Sequence, residues 1–322
     1  MKSSVVLKLD HDVYLEMPLL KGYLANYGAK LVEHSLADAL SAINEHTPDI
    51  IVTGAAFIGK DIIDAGQCKG LCGIVKAGSG LDNVDVAYAR AKGVAVANTP
   101  ACVAEAVAEY AISLMLSLSR KLSHLHETMR QEGWVRATSV WQGKELHQKT
   151  IGLIGFGRIA RKVARITHFG FEMPVFAYDP YVGAEEMAEA GVRKTEDLAW
   201  LLSQTDIVSI HCALTPSTTN LIGAKQFHTM RPSAFLINVS RGGIIDQEAL
   251  LAALLEKRIA GVALDVYPEE PLNIGTHPIF SQIANMENVL LSPHLAWYTA
   301  EADQRLQETV GQRCIDLIRG VI

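Results

Sequence analysis

Short runs of β-branched and apolar residues recur along the chain, and between them apolar positions return every three or four residues. VVLKL (5–9), DIIVT (49–53), GIVKA (73–77) and VAVAN (94–98) read as buried strands, and YLEMPLLKGYLANYG (14–28) reads as a helix between the first two. That alternation implies βαβ units around a parallel sheet. The rhythm breaks at Thr99-Pro100, an N-cap and first-turn pair. Beyond it Val103, Val107, Tyr110, Leu114, Met115, Leu118, Leu122 and Leu125 predict one long amphipathic helix. A polar stretch with Trp134 and Trp141 follows, and the alternation then restarts. TIGLIG, VFAYD, DIVSIH, AFLINVS, AGVALDV and VLLSPH predict a second set of strands with helices between them. The last segment, Tyr298 to Ile322, reads as a helix expected to fold back on the first domain.

Length agrees with this division: 322 residues exceed what one core usually carries, so two α/β domains of roughly 100–200 residues are expected, with the long helix as a hinge. A net charge of −6 argues against nucleic-acid and membrane-surface partners, which call for a basic stripe. No run approaches the ~18 consecutive apolar residues of a membrane span, and MKSSVVLKLD lacks the apolar core and cleavage site of a signal peptide. Cys68, Cys72, Cys102, Cys212 and Cys314 have neither metal-ligand spacing nor a disulfide rhythm. They predict no metal site and fit a reducing cytoplasm.

The stretch IGLIGFGRIA (151–160) has the layout of a dinucleotide-binding turn. Gly155 permits the sharp bend after a strand, and Gly157 leaves room for backbone to approach a pyrophosphate. The helix opening near Arg158 and Ile159 offers unpaired N–H groups and its positive end to the phosphates. Ala160 stands where a third glycine is often found, a position that asks only for close helix–strand packing. An acidic residue about 20 positions on should bind the ribose hydroxyls. Asp179 is there, and a carboxylate would repel a 2′-phosphate, so NAD is expected rather than NADP.

Three later strands each end on ionisable residues, where open α/β sheets bind ligands. INVSRGGIID carries Arg241, VALDVYPEEPL carries Asp265, Glu269 and Glu270, and VLLSPHLAW carries His294. Reducing a ketone by hydride transfer needs a proton donor to the developing alkoxide, and histidine is the usual one near neutral pH. A carboxylate on the other ring nitrogen fixes the tautomer and favours the charged ring. A guanidinium holds a carboxylate at two points and polarises the adjacent carbonyl. Arg241, Glu270 and His294 supply one of each, although singly each also fits an ordinary loop.

With these motifs the chain resembles the D-2-hydroxyacid dehydrogenase family, which includes D-3-phosphoglycerate dehydrogenase and hydroxypyruvate/glyoxylate reductases. KAGSGLDNVD, NTPACVAEAVAEYAISLMLSLSR, GLIGFGRIA, YDP, HCALTPST, NVSRGGIID, ALDVYPEEPL and SPHLAWYTAEA fall in family order over nearly the whole chain. The resemblance implies two Rossmann-like or flavodoxin-like doubly wound parallel-sheet domains with a cleft between them. The substrate domain would be residues 1–98 plus 295–322, and the NAD-binding domain 99–294. It implies His294 as acid/base, Glu270 as its orienting partner and Arg241 on the substrate carboxylate and carbonyl. Asp265 would lie near the nicotinamide. Cys212 and the backbone of Val239, Ser240 and Arg241 would line the cofactor, with His294 to Trp297 closing it. Backbone N–H groups at Ser79 and Gly80 would receive the substrate carboxylate.

A homodimer joined through the NAD domains is also implied, with Trp134 and Trp141 near its interface. Phosphoglycerate-type members tend to carry a basic residue about where this chain has Thr53, while Lys76 occupies a place often basic in them. The expected activity is NAD-linked interconversion of a D-2-hydroxy acid and its 2-keto acid. The alternative is an NADH-sensing binding protein on the same fold, as the corepressor relatives are, since those too keep an Arg-Glu-His set.

Overall fold

The computed structural model describes residues 3–10 and 17–321 and divides into two compact units, 1–103 with 298–322 and 104–297. In the first unit five parallel strands, β1 (Ser4–Asp10), β2 (Ala29–Ser35), β3 (Ile50–Thr53), β4 (Gly73–Lys76) and β5 (Ala95–Asn98), lie in the order β2-β1-β3-β4-β5. This is a flavodoxin-like order. β3 and β4 are buried along their whole length, as their apolar runs Ile50–Val52 and Ile74–Val75 require, and the burial extends to Thr53 and Lys76 at their ends. β2 forms the edge, and its mixed AKLVEHS pattern, with Lys30 exposed and Leu31 buried, explains why periodicity does not single it out. The helix Pro18–Asn26 follows β1; residues 14–16 of the predicted helix lie outside the described residues.

The C-terminal helix Ala300–Ile318 packs within this first unit. A β-carbon on Gly73 would fall 2.7 Å from Leu317 Cδ1, so the bare glycine lets helix and sheet meet. Gln307 Oε1 accepts the Leu19 and Leu20 N–H groups at 3.0 and 3.1 Å, satisfying two donors at the start of the Pro18–Asn26 helix.

The loop after β3, residues 54–58, is held from outside itself. Asp10 accepts the N–H groups of Gly54, Ala55 and Ala56 at 2.7, 3.1 and 3.0 Å. Asn83 donates to the carbonyls of Gly54 and Ala56 at 3.3 and 2.8 Å, and Thr53 donates to the latter at 2.8 Å. Phe57 stands exposed at its tip.

The second unit holds seven parallel strands: β6 (Ile151–Ile154), β7 (Val175–Tyr178), β8 (Val192–Lys194), β9 (Ile207–Ile210), β10 (Phe235–Asn238), β11 (Gly261–Leu264) and β12 (Val289–Leu291). Their order, β12-β11-β10-β9-β6-β7-β8, is the Rossmann order extended by one strand, and the chain reverses direction across the sheet between β6 and β9. β8, a three-residue edge strand, is the one the apolar pattern does not announce.

The predicted single helix from Thr99 to beyond Leu125 is corrected at both ends. Thr99 caps nothing helical: its Oγ1 accepts the Gly78 N–H at 2.7 Å, and the helix begins at Ala104. It stops at Arg120, where Lys121 adopts φ 53°, and a second helix runs Leu122–Glu132. The Ser119 carbonyl, which a continuous helix would bond internally, accepts the Lys144 N–H at 2.8 Å. Gly143 makes that approach possible, since a β-carbon there would meet Ser119 O at 2.9 Å.

Candidate active site

The turn after β6 lies at the switch point of the second sheet. Gly155 has φ 89°, and a β-carbon on it would fall 2.6 Å from Cys212 N and 2.8 Å from Cys212 Cα. Any larger residue would drive the turn away from the end of β9. Gly157 differs: a β-carbon there would meet nothing within 4 Å of the protein. The protein tolerates a side chain at that point, so the bare backbone fits an outside group such as a pyrophosphate. The helix Arg158–Phe171 opens immediately afterwards, with Arg158 exposed, Ile159 half-buried and Ala160 buried against the sheet. Asp179, at the end of β7, accepts the Phe156 N–H at 2.8 Å through Oδ2 and the Tyr181 N–H at 2.8 Å through Oδ1. It therefore fixes the glycine turn itself, and each oxygen keeps acceptor capacity for a ribose hydroxyl.

Cys212 follows β9. Burial pushes its thiol up to about 11, with the Asp179 charge adding to the effect, so it stands at the end of β9 as a neutral group. Its carbonyl accepts the Ser240 hydroxyl, which ties the β9 and β10 ends together. His211 beside it is held neutral by burial, which pulls the imidazole down to about 3. Val239 is buried, and the Asn238 side chain braces the next turn: its Oδ1 accepts the Ser240 N–H at 3.0 Å and its Nδ2 donates to Arg241 O at 2.9 Å. Arg241 Nη1 donates to the Ser240 carbonyl at 2.8 Å.

The segments after β11 and β12 bring Glu270 and His294 together. His294 Nδ1 and Glu270 Oε2 are 2.5 Å apart, with the two side chains 29% and 19% exposed, a short charge-assisted contact in a half-buried place. Glu270 Oε1 accepts the Tyr267 N–H at 2.8 Å, so both its oxygens are placed. With Nδ1 engaged, Nε2 is the ring nitrogen left to exchange a proton with a ligand. His294 has φ 54°, a left-handed conformation that costs a non-glycine residue on the order of 1 kcal/mol.

The bonds that hold this turn come chiefly from Asp265. Its buried carboxylate accepts the Ser292 hydroxyl at 2.6 Å and the Leu295 and Ala296 N–H groups at 3.1 and 2.9 Å. Burial nevertheless raises the Asp265 carboxyl above its ordinary range, against the lowering effect of those hydrogen bonds and of His294. Tyr267, which the sequence pattern does not single out, donates its phenol to Ser292 O at 2.9 Å. Its position between Asp265 and Glu270 was the available signal. Trp297, half-buried, ends the segment.

Gly155, Gly157, Asp179, Cys212, Arg241, Asp265, Glu270 and His294 thus all stand at the ends of strands of one sheet, or in the turns that follow. Ser79 and Gly80 belong to the first unit, in the loop after β4. There the Asn98 side chain donates to Ser79 O at 2.7 Å, and the Ser79 hydroxyl donates to Pro100 O at 3.3 Å. Among the described residues no group of three or more His, Cys, Asp and Glu side chains could hold a metal ion, and no helix is long and apolar enough to cross a membrane.

Comparison with known proteins matches residues 112–296 to the family described as D-isomer specific 2-hydroxyacid dehydrogenase, NAD binding domain. The chain is 36% identical over 274 residues to a hydroxypyruvate reductase of Thermotoga maritima, covering 85% of this chain and 86% of that one. It is 34% identical over 287 residues to a D-3-phosphoglycerate dehydrogenase of Synechocystis, covering 89% of this chain but spanning only half of that relative's length. The apo-structure of D-lactate dehydrogenase from Escherichia coli superposes with a TM-score of 0.81 at 28% identity, covering 98% of this chain and 97% of that one. Sheet order, dinucleotide turn and these matches agree, and the chain belongs to the D-isomer-specific 2-hydroxyacid dehydrogenases, with NAD as the cofactor of its second unit.

Proposed function

We propose that the protein is an oxidoreductase that interconverts a D-2-hydroxy acid and its 2-keto acid. The observation that carries this reading is the 2.5 Å contact between His294 Nδ1 and Glu270 Oε2, at the end of the sheet that bears the dinucleotide turn. Bound NADH supplies the hydride that reduces C2. His294 delivers its proton to the oxygen of the developing alkoxide and takes it back in the reverse direction, while Glu270 keeps the ring oriented and stabilises its charge. Arg241 holds the substrate carboxylate and polarises the carbonyl beside it.

The reading is supported by family membership and by a hydroxypyruvate reductase of nearly full-length match among the relatives. We also propose that the protein is a cytoplasmic homodimer joined through the second unit. Exposed Leu122, Met129, Trp134 and Val140 in one stretch of that unit support the dimer, and five unpaired cysteines support a reducing compartment.

The test is NADH consumption by the purified protein, with NADPH in parallel. The substrates are glyoxylate, pyruvate, hydroxypyruvate, 2-ketoglutarate, an aromatic 2-keto acid and phosphohydroxypyruvate. Turnover of at least one, abolished in His294→Ala, establishes the reaction. Silence with every acid, while NADH still binds, overturns it in favour of a binding protein.

A further inference from the structure

Tyr267 touches the supports of both members of the acid–base pair. Its backbone N–H donates to Glu270 Oε1 at 2.8 Å, and its hydroxyl donates to the Ser292 carbonyl at 2.9 Å. That same carbonyl accepts the His294 N–H at 3.1 Å, so the phenol fixes the acceptor about which the left-handed His294 turns. Leu264 O, 3.3 Å away, is a second acceptor at the end of β11. The ring packs edge-on to Phe280, with centroids 5.1 Å apart and planes at 85°, and is 8% exposed. Phenylalanine would fill that space equally well. The hydroxyl is what a phenylalanine would lose, and it joins the Asp265 carboxylate and the Glu270–His294 contact in linking the segment after β11 to the turn carrying His294.

We infer that Tyr267 is a positioning residue for proton transfer: its hydroxyl holds the Ser292–His294 turn at the height where the imidazole meets Glu270. The inference rests on His294 being the acid/base. Without the hydroxyl, Ser292 O keeps one donor where it had two, the turn relaxes, and the Nδ1–Oε2 contact lengthens. The imidazolium then loses part of its partner and releases its proton at lower pH.

Among the described residues, the other ionisable groups acting here are Asp265, which interacts with His294 across the same turn, and Tyr110 on the Ala104–Arg120 helix, which acts on Tyr267. Neither is altered by removing the hydroxyl. Burial, with the Asp265 charge, holds the Tyr267 phenol protonated well above its ordinary range, so it stays a donor throughout the working pH range.

The test compares wild type with Tyr267→Phe, both saturated with NAD(H). The readouts are kcat against pH for keto-acid reduction, KM for NADH, and an NMR titration of the His294 imidazole, assigned by its absence in His294→Ala. The expected result is a kcat lower by roughly three- to tenfold, the effect of one buried hydrogen bond, with little change in KM. The alkaline limb of the rate profile and the His294 titration should both move to lower pH. Phe280→Leu, which loosens the ring without touching the hydroxyl, is the matched control. It should lower the melting temperature and leave the titration in place.

Superimposable titrations for Tyr267→Phe and wild type would overturn the inference. An equal shift in Phe280→Leu would overturn it too, by assigning the effect to looser packing. If wild type reduces none of the acids, the proposed reaction fails on its own account, and the NMR titration still decides the role of Tyr267.

Discussion

Gly242 lies against the Tyr267–Pro268 peptide so closely that a β-carbon on it would fall 2.0 Å from the Tyr267 carbonyl carbon and 2.3 Å from Pro268 N. The turn that bears Arg241 and the loop that bears Glu270 are therefore packed backbone to backbone, and their spacing is set by the absence of one methyl group. Gly242→Ala should force these two segments apart. We expect a stability loss of about 1–3 kcal/mol, the range for overpacking, together with a fall in kcat. A calorimetric scan beside steady-state kinetics checks both. An alanine variant with wild-type melting and turnover would show that the backbone yields without consequence.

The role proposed for His294 carries a pH prediction. On the proposed reaction, reduction of the keto acid takes up a proton and oxidation of the hydroxy acid releases one, so the two rate profiles should run in opposite directions with pH. His294→Ala should lose roughly 10²–10⁴-fold in kcat, the usual contribution of a positioned acid. Glu270→Gln should lose less and carry the reduction profile to lower pH, since the ring then lacks its anionic partner. Rate profiles in both directions decide this, and profiles that run parallel in the two directions would remove His294 from the proton path.

Asp179 should govern cofactor choice. Its carboxylate repels a 2′-phosphate and also holds the Phe156 and Tyr181 N–H groups. Asp179→Ala removes charge-assisted bonds worth about 1.5–3 kcal/mol apiece, so KM for NADH should rise about tenfold or more. KM for NADPH should rise less, because a repulsion disappears at the same time. Fluorescence titration with both nucleotides gives the ratio, and an unchanged ratio would refute the assignment.

Asp265 gives a linkage prediction with a definite sign. Its carboxyl is raised in the folded protein, chiefly by burial, so the fold favours the protonated form. The stability this contributes is complete below the unfolded value of about 3.9 and is lost as pH climbs through the raised folded value. Asp265→Asn lacks that dependence but sets an amide N–H₂ against the Leu295 or Ala296 N–H. The stability of wild type relative to Asp265→Asn should therefore decline as pH rises across this window, while activity in the variant stays low throughout. Chemical denaturation at a series of pH values measures the difference.

The second unit was legible in the sequence because its strands are apolar on both faces and its glycine turn obeys simple sterics. β6 to β12, except the short edge strand β8, follow from the run lengths alone. Gly155, Asp179, Glu270 and His294 were visible as residues at strand ends. What could not be read is whatever depends on two distant segments meeting. The end of the helix at Arg120 is decided by the Lys144 N–H, and the failure of Thr99 as a cap is decided by Gly78. Tyr267 and Ser292 look like ordinary core and loop residues until the β11 and β12 loops are brought together. Periodicity reports which face of an element is buried; it carries no information about which loop carbonyl a hydroxyl will find.

The clamp on residues 54–58 separates the path of a loop from its chemistry. Asp10, Thr53 and Asn83 grip this loop by its peptide groups, and none of the side chains at Ala55, Ala56 or Phe57 takes part in those bonds. Ala55 and the exposed Phe57 can therefore be exchanged for larger, smaller or charged residues while the backbone keeps its course. In evolutionary terms the loop is a fixed mount with a replaceable face, so a lineage could change what that surface meets by one or two substitutions without having to refold anything beneath it.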